Sequence, residues 1–481
     1  MYNIKVQRLL RSLDKAYQGP VMSTKEWDTK ILPKTIKGIL KKYGLARTLD
    51  MDNPINCDDD LADTFFKAGR ELALELGIFC EDTERVIKMT EDELLETIRD
   101  YPDHLILGEG QDEVVMFPRR PESELEPLMA ASLGIVCRED IYLPLVQGIV
   151  KYPKLVDVLH GPTLSTVYGH MIRSGTPYET LMGDLESHLK KEALWRAGRP
   201  GMACTGINGA CTEYGHLGGA AVVSGRGNIT QSLCPVEMKV TFSNFHRVIM
   251  GLNVGHKLRV AGCSYIGGYA GPAEGAVLTC VANDLLIPCI LQSDYTSSYV
   301  YDIQLFGNCG RKALWANSVS IQAISRNTGF MRNKIVNEVA GPCTEMFFLE
   351  SAVGLMNHCV SGASKTTQPR SAGGRYTDYI TPVECWWVGD VFKSCAGMSR
   401  KQANEIAKQV LPMYETQLSA PPKGESIYDC YDLQKQQAKP HYAKLFNDTR
   451  NKLIDLGMPL DRVFGEVYVD TCSEAKRNII L

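Results

Sequence analysis

The chain has 481 residues, 44% of them hydrophobic and 22% charged, an ordinary composition for a soluble globular protein and one that can bury a large core. Its 52 basic and 56 acidic residues give a net charge of −4 with no basic block or stripe, which argues against nucleic acid as a partner. The 16 cysteines are scattered through apolar segments of a long chain, a pattern of reduced thiols in a cytoplasmic protein, consistent with an anaerobic host, and not of a disulfide scaffold.

The N-terminal stretch MYNIKVQRLLRSLDKAYQ is polar and carries no apolar core of the secretory kind. Residues 1–100 read as helical. Trp27, Ile31, Ile36, Ile39 and Leu40 recur at helical spacing before a stop at Lys41-Lys42-Tyr43-Gly44. LADTFFKAGRELALELG predicts a helix over 61–77 ending at Gly77, and Thr90 with Glu93 predicts a capping box at the start of another.

From about 105 to 415 short apolar runs alternate with amphipathic stretches. Predicted strands are LILGEG (105–110), LVDVLHG (155–161), GMACTGING (201–209), EMKVTF (237–242), RVAGCSYIGG (259–268), IPCILQS (287–293) and KIVNEVAG (334–341). Helices are predicted over 177–197, 272–286, 312–327 and 344–360, and 381–415 reads as one long closing helix. The region 210–236 is ambiguous, and 416–430 is loop-like before a helical tail. Strand–helix alternation repeated about eight times predicts an α/β fold, a (β/α)₈ barrel, with a doubly wound sheet as the alternative. The predicted divisions are an N-terminal helical region (1–104), the barrel (105–415) and a C-terminal helical tail packed on it (416–481). No run approaches the roughly 18 consecutive apolar residues of a membrane span.

The chain has no GxGxxG after a strand, no GxxxxGK[ST], no HExxH, no CxxC pair and no GxSxG. Cys204 and Cys211 are too far apart to read as a metal pair, so no metal ligands are assigned. By themselves these residues lead to an α/β barrel with its active site at the C-terminal strand ends.

Several segments, in order, resemble the corrinoid-dependent monomethylamine methyltransferases of methanogenic archaea. They are EWDTKILPKTIKGILKKYGL (26–45), FFKAGRELALELGIFCEDTERVIKMTEDEL (65–94), AGRPGM (197–202), GGYAG (267–271), AGPCTEM (340–346), SAPPKGESIYDCYDL (419–433) and TRNKLIDLG (449–457). The match runs from about residue 20 to residue 458. The resemblance implies a transferase of methanogenesis and a cognate corrinoid protein that carries the cobalamin. It also implies no cofactor bound tightly by this chain, a small methylated substrate, and a cytoplasmic homo-oligomer.

In the family, pyrrolysine follows AGRPGM after two intervening residues, here Ala203 and Cys204, which puts it where this chain has Thr205. Its imine carbon captures the amine and aims the methyl group at cobalt, covalent activation combined with positioning. A threonine cannot form that adduct. Counting from GGYAG and AGPCTEM, polar or acidic family positions fall on Ala261 and Ile335, and a family glutamate falls on Gln231. These departures imply a changed substrate.

The candidate substrate-binding residues are therefore Thr205, Gln231, Ala261, Tyr269, Ile335, Glu338 and Glu345, with Thr205 the one candidate for a catalytic part. Each has a plainer reading. Thr205 suits a strand end as a β-branched residue. Gly267, Gly268 and Gly271 around Tyr269 suit a tight turn. Glu345 suits the first turn of a helix. Glu338 ends a strand and lies outside the family pattern. Glu213 and His216 suit a loop, Trp386 and Trp387 suit the core, and Arg199 could hold a backbone carbonyl at a strand entry.

The leading expectation is a pyrrolysine-independent methyltransferase that moves a methyl group to the Co(I) corrinoid of a partner, from a substrate larger than methylamine, with a quaternary amine favoured. By analogy, pyrrolysine-lacking homologues of trimethylamine methyltransferase use glycine betaine. A negatively lined barrel mouth would attract such a cation. Two alternatives are a non-catalytic homologue that docks a corrinoid protein and a barrel enzyme using Glu338 or His216 as a base.

Overall fold

The barrel strands run only two to five residues each. The computed structural model, which describes residues 4–206 and 211–465, contains eight such strands. They are β1 (Leu128–Ala131), β2 (Val158–Leu159), β3 (Ala203–Cys204), β4 (Ile229–Leu233), β5 (Lys257–Ala261), β6 (Tyr295–Thr296), β7 (Asn333–Lys334) and β8 (Lys365–Thr367). All ladders between them are parallel. One run is β3-β2-β1-β8-β7 and the other is β4-β5-β6. Two parallel bridges, Thr205 to Ile229 and Thr296 to Arg332, close them into one ring. The fold is a (β/α)₈ barrel, and Thr205 is itself one of its two seams.

An N-terminal group of helices comprises α1 (Ile4–Gln18), α2 (Leu32–Lys42), α3 (Asp59–Leu76) and α4 (Glu91–Arg99). The barrel helices follow as α5 (Glu139–Ile149), α6 (Pro177–Arg196), α7 (Glu213–Ala220), α8 (Phe242–Asn253), α9 (Ala273–Leu291), α10 (Arg311–Asn327), α11 (Glu345–Val360) and α12 (Pro382–Ser394). Each of these eight follows one barrel strand in chain order. Then come α13 (Arg400–Val410) and α14 (Pro440–Asp455).

The N-terminal helices make α9 a core element. All 19 of its residues are buried, and Gly69 of α3 crosses so closely that a Cβ there would sit 2.4 Å from Val281. Among the described residues α9 is the one helix long and apolar enough to cross a membrane, but its apolarity matches its burial between α3, α10 and the barrel. It also explains a misread strand. The run 287–293 is the end of this helix, which continues through Pro288 and stops at Gln292, whose φ is 52°. An apolar run buried on every side carries no period to separate helix from strand.

Other elements differ from expectation for equally local reasons. Leu105–Leu107 turns back at Gly108 and Gly110 to pair antiparallel with Val114–Met116. With no crossover helix it cannot join a parallel barrel. The hairpin instead plugs the N-terminal end, where Leu105, Leu107 and Met116 pack with Leu128, Ala203, Ile229, Tyr295 and Met331. Lys239–Val240 pairs with Ile78–Cys80 of the N-terminal region and not with the barrel. The ambiguous stretch 210–236 supplies α7 and β4. The expected helix over 381–415 is divided at Gly397 (φ 80°), and Ser399 caps α13 by accepting from the Gln402 amide at 3.2 Å.

The predicted capping box at Thr90 and Glu93 is formed. Arg199 holds the Val156 carbonyl at 2.7 Å, just before β2. Trp386 and Trp387 are core anchors that donate to Gly148 O and Ser351 Oγ.

Candidate functional site

With the hairpin closing one end, the C-terminal strand ends form the open mouth. Beyond it, β5 and β6 resume as two paired extensions, Cys263–Ile266 and Tyr299–Asp302, in parallel register. Cys263 stands opposite Tyr299, and Tyr265 opposite Tyr301. Because side chains alternate along a strand, these four share one face. That face walls a cavity of about 740 Å³. Asn337 and Val339 enter from the β7 loop, Arg370 and Arg375 from the β8 loop, and Leu418 from the C-terminal segment.

Tyr265 and Tyr301 meet edge to face at 6.2 Å between centroids, and Tyr299 and Tyr301 at 5.2 Å. Arg370 donates to the Tyr301 hydroxyl at 3.4 Å and to Asn337 at 3.3 Å. Burial pushes the Tyr265 phenol up to about 12 and raises those of Tyr299 and Tyr301 as well, so the rings are neutral. Burial also raises the Cys263 thiol, which makes it an uncharged wall and not a nucleophile. The cavity can hold a drug-sized or smaller ligand, and aromatic rings and guanidinium groups both line it.

Thr205 lies on the opposite arc, fully buried. Its amide donates to Leu159 O at 2.9 Å, and its carbonyl accepts from Lys190 at 3.3 Å. Lys190 is ion-paired to Glu186 at 3.0 Å, with both side chains wholly buried. Among the described residues the Thr205 hydroxyl and His216 Nε2 are buried without a hydrogen-bond partner. Burial, then the cations nearby, keeps His160 and His216 neutral by lowering them well below the ordinary histidine range. His216 and Glu213 belong to α7 and not to a loop, and Glu213 accepts from Ser243 at 2.7 Å.

Gln231 in the middle of β4, Ala261 at the end of β5 and Ile335 just after β7 are buried, and neither they nor Thr205 line the cavity. Gln231 accepts from Arg259 at 3.1 Å, and Arg259 also donates to Ser297 at 3.0 Å. Lys365 lies 3.4 Å from Tyr295 OH, Asn333 and Thr367. Among the described residues neither Arg259 nor Lys365 forms an ion pair, and burial lowers the pKa of both. The expected negatively lined mouth is therefore corrected. The barrel interior carries two buried basic residues, and the cavity shows two guanidinium groups against Asp302. Strand alternation and the β8 loop bring these groups inward, and neither effect is visible in a linear count of acids.

Tyr269 stands apart, 45% exposed in the turn closed by Gly267 and Gly271 at φ 85° and 80°, with Lys239 5.8 Å above its ring. Glu345 is in the first turn of α11, on the surface, paired with Lys452. Glu338 is fully buried below the β8 loop, where its carboxylate accepts from the Arg370 amide at 2.9 Å.

Burial pushes Glu338 up to about 7. The unfolded chain releases that proton near 4.5. This carboxyl's share of stability is therefore complete below pH 4.5 and is lost as pH rises through about 7, at roughly 1.4 kcal/mol per unit and about 3 kcal/mol in all. Glu338→Gln should flatten the decline between pH 5 and 7 in urea unfolding. Unchanged slopes would show that Glu338 is ionised throughout.

A family model described as monomethylamine methyltransferase MtmB matches residues 8–458. The chain belongs to this family. The family is one of methyltransferases, so the chain is a transferase enzyme by family and fold. Among curated relatives, the monomethylamine methyltransferase MtmB2 of Methanosarcina barkeri is 28% identical over 451 residues, covering 92% of this chain and 97% of the relative. MtmB of Methanosarcina mazei is 26% identical over 450 residues with the same coverage. The crystal structure of Methanosarcina barkeri MtmB superposes with a TM-score of 0.88 at 26% identity, covering 93% of this chain and 97% of that one. The hydroxylamine complex of MtmB gives 0.89, also at 26% identity.

The tyrosine and arginine residues of the cavity were missed in the sequence. The spacing in SYVYD (298–302) carried the signal, since Tyr299 and Tyr301 share one face of any strand.

Proposed function

We propose that this MtmB-family chain is a pyrrolysine-independent methyltransferase. It takes a methyl group from a small methylated substrate bound without a covalent link, a quaternary ammonium compound, and passes it to the Co(I) corrinoid of a partner protein. The observation that carries this reading is the cavity at the mouth, lined by three tyrosine rings together with Arg370 and Arg375. Thr205, at the position the resemblance assigns to pyrrolysine, has no electrophile to capture a primary amine.

The tyrosine faces suit a methylated cationic nitrogen, each such contact contributing on the order of 0.5–2 kcal/mol. The guanidinium groups suit a carboxylate at the other end of the same molecule. A quaternary nitrogen also removes the need for covalent activation, because the C–N bond breaks with its electron pair returning to nitrogen and a neutral tertiary amine departs. The corrinoid supplies the nucleophile. This chain's residues hold the substrate, keep the rings uncharged and exclude water.

The same reading carries a corrinoid protein as partner, no tightly bound cofactor, a cytoplasmic location and a homo-oligomer. An acid–base reaction is less well supported, since Glu338 and His216 are both buried away from the cavity walls.

The test is a panel of methylated compounds supplied with Co(I) corrinoid, read by the cobalt absorbance. Quaternary ammonium carboxylates such as glycine betaine should react fastest. Arg370→Met should raise their KM roughly 10- to 100-fold, the worth of one charge-assisted hydrogen bond, and leave tetramethylammonium unaffected. Reaction only with methoxylated or methylthio compounds would overturn the quaternary-amine reading. Inertness with every donor, despite binding of a corrinoid protein, would favour a non-catalytic role.

A further inference from the structure

We propose that Cys343, Glu425 and His441, with Cys430 beside them, bind a divalent cation of the zinc class and clasp the C-terminal segment to the barrel.

One ligand atom from each of Cys343, Glu425 and His441 lies within 4.8 Å of the other two. His441 Nε2 is 2.9 Å from the Glu425 carboxylate. The Cys430 thiol lies near that of Cys343, which raises its pKa, and donates to Ser426 O at 3.2 Å. Donors around a tetrahedral zinc stand roughly 3.3–3.8 Å apart, so only a small contraction separates this cluster from a coordination shell. Thiolate, imidazole and carboxylate together form a set that favours zinc over the hard cations magnesium and calcium. On binding, each coordinating thiol releases its proton to solvent, and the neutral imidazole donates through Nε2.

The backbone around the cluster is built to hold it. The Gly341 amide donates to Pro422 O, and the Glu425 amide to Pro342 O, both at 3.0 Å. A Cβ on Gly341 would lie 1.7 Å from Lys423 O, and one on Gly424 would lie 2.2 Å from Pro342 O, so the two loops touch where only glycine fits. Cys343 itself has a φ of 58°, a left-handed conformation that a residue with a side chain adopts only when its surroundings impose it. His441 projects from the first turn of α14. The His441 and Glu425 side chains are 51% and 39% exposed, so an ion has a path in. Leu418, Ser419 and Pro421, just before Glu425, wall the large cavity. A bound ion would fasten that wall to the loop after β7.

Full-length protein purified under reducing conditions should carry about one zinc per chain by plasma mass spectrometry. Replacement with Co(II) should give a thiolate-to-cobalt charge-transfer band in the near ultraviolet. Cys343→Ser and His441→Ala should each lower metal content at least about tenfold, while Cys57→Ser, an exposed thiol elsewhere, should not. If either variant fails to fold by circular dichroism, Glu425→Gln and competition of the wild type against a chelating dye read the same site. Zinc content equal in wild type and variants would mark an adventitious ion only and overturn the proposal. So would a cobalt spectrum without the charge-transfer band, or a Cys343–Cys430 disulfide in protein prepared under reducing conditions.

Discussion

Supplied with monomethylamine and Co(I) corrinoid, the purified chain should turn over at least about 10³-fold more slowly than a pyrrolysine enzyme, equivalent to about 4 kcal/mol in the barrier. A primary amine leaves poorly, and the family's remedy is an electrophilic imine that captures it and fixes its methyl group in line. Thr205 offers a buried hydroxyl with no partner among the described residues, and its neighbours His160 and His216 are held neutral. None of these forms a covalent adduct with an amine. The measurement is the initial rate of cobalt absorbance change over a monomethylamine series, with a pyrrolysine-containing MtmB as the reference. Comparable rates in the two proteins would remove the argument built on Thr205.

The second large effect concerns the support under Thr205. Lys190 and Glu186 are both wholly buried and paired at 3.0 Å. Glu186 also accepts from Thr163 Oγ at 3.0 Å and the Leu164 amide at 3.3 Å, while Lys190 holds the Thr205 carbonyl. The pair therefore joins the segment after β2 and the end of β3 to α6. Lys190→Met would strand a buried carboxylate, and removal of one partner from such a pair typically costs about 3–5 kcal/mol. Urea unfolding should show a loss of that size, and Lys190→Met with Glu186→Gln should recover much of it, because no charge is then left unpaired. A single variant within about 1 kcal/mol of wild type, or a double variant worse than the single, would show that the pair contributes little.

Loss of this pair should also disturb the barrel seam, since Thr205 bridges to Ile229 there. A methyl-transfer assay on Lys190→Met at temperatures where it is folded separates the two roles. A structural role alone lowers the melting point, whereas displacement of Thr205 also changes KM.

Much of this protein was determined by its sequence alone. The capping box at Thr90, the helix stop at Gly77 and the helices around 177–197, 312–327 and 344–360 are local, each set by periodicity and by donors or glycines within a turn of the helix end. The alternation of strand and helix led to the barrel, and the ordered segments up to residue 458 led to the family whose model ends at that residue. Strand positions were harder. Barrel strands of two to five residues, buried on both faces, have no alternation to read, which is why β1, β4, β6 and β8 were missed and the end of α9 was taken for a strand.

What only the tertiary structure decided is the chemistry of the mouth. Tyr265 meets Tyr301 through the register of two strand extensions, and Arg370 reaches them from the loop after β8. Cys343 meets Glu425 and His441 because two loops touch at glycines. Arg259 and Lys365, which read as ordinary basic residues, turn inward on β5 and β8 and reverse the charge expected there. Such convergences depend on sheet register and loop contact between residues far apart in the chain. A pattern confined to neighbouring residues carries no record of them.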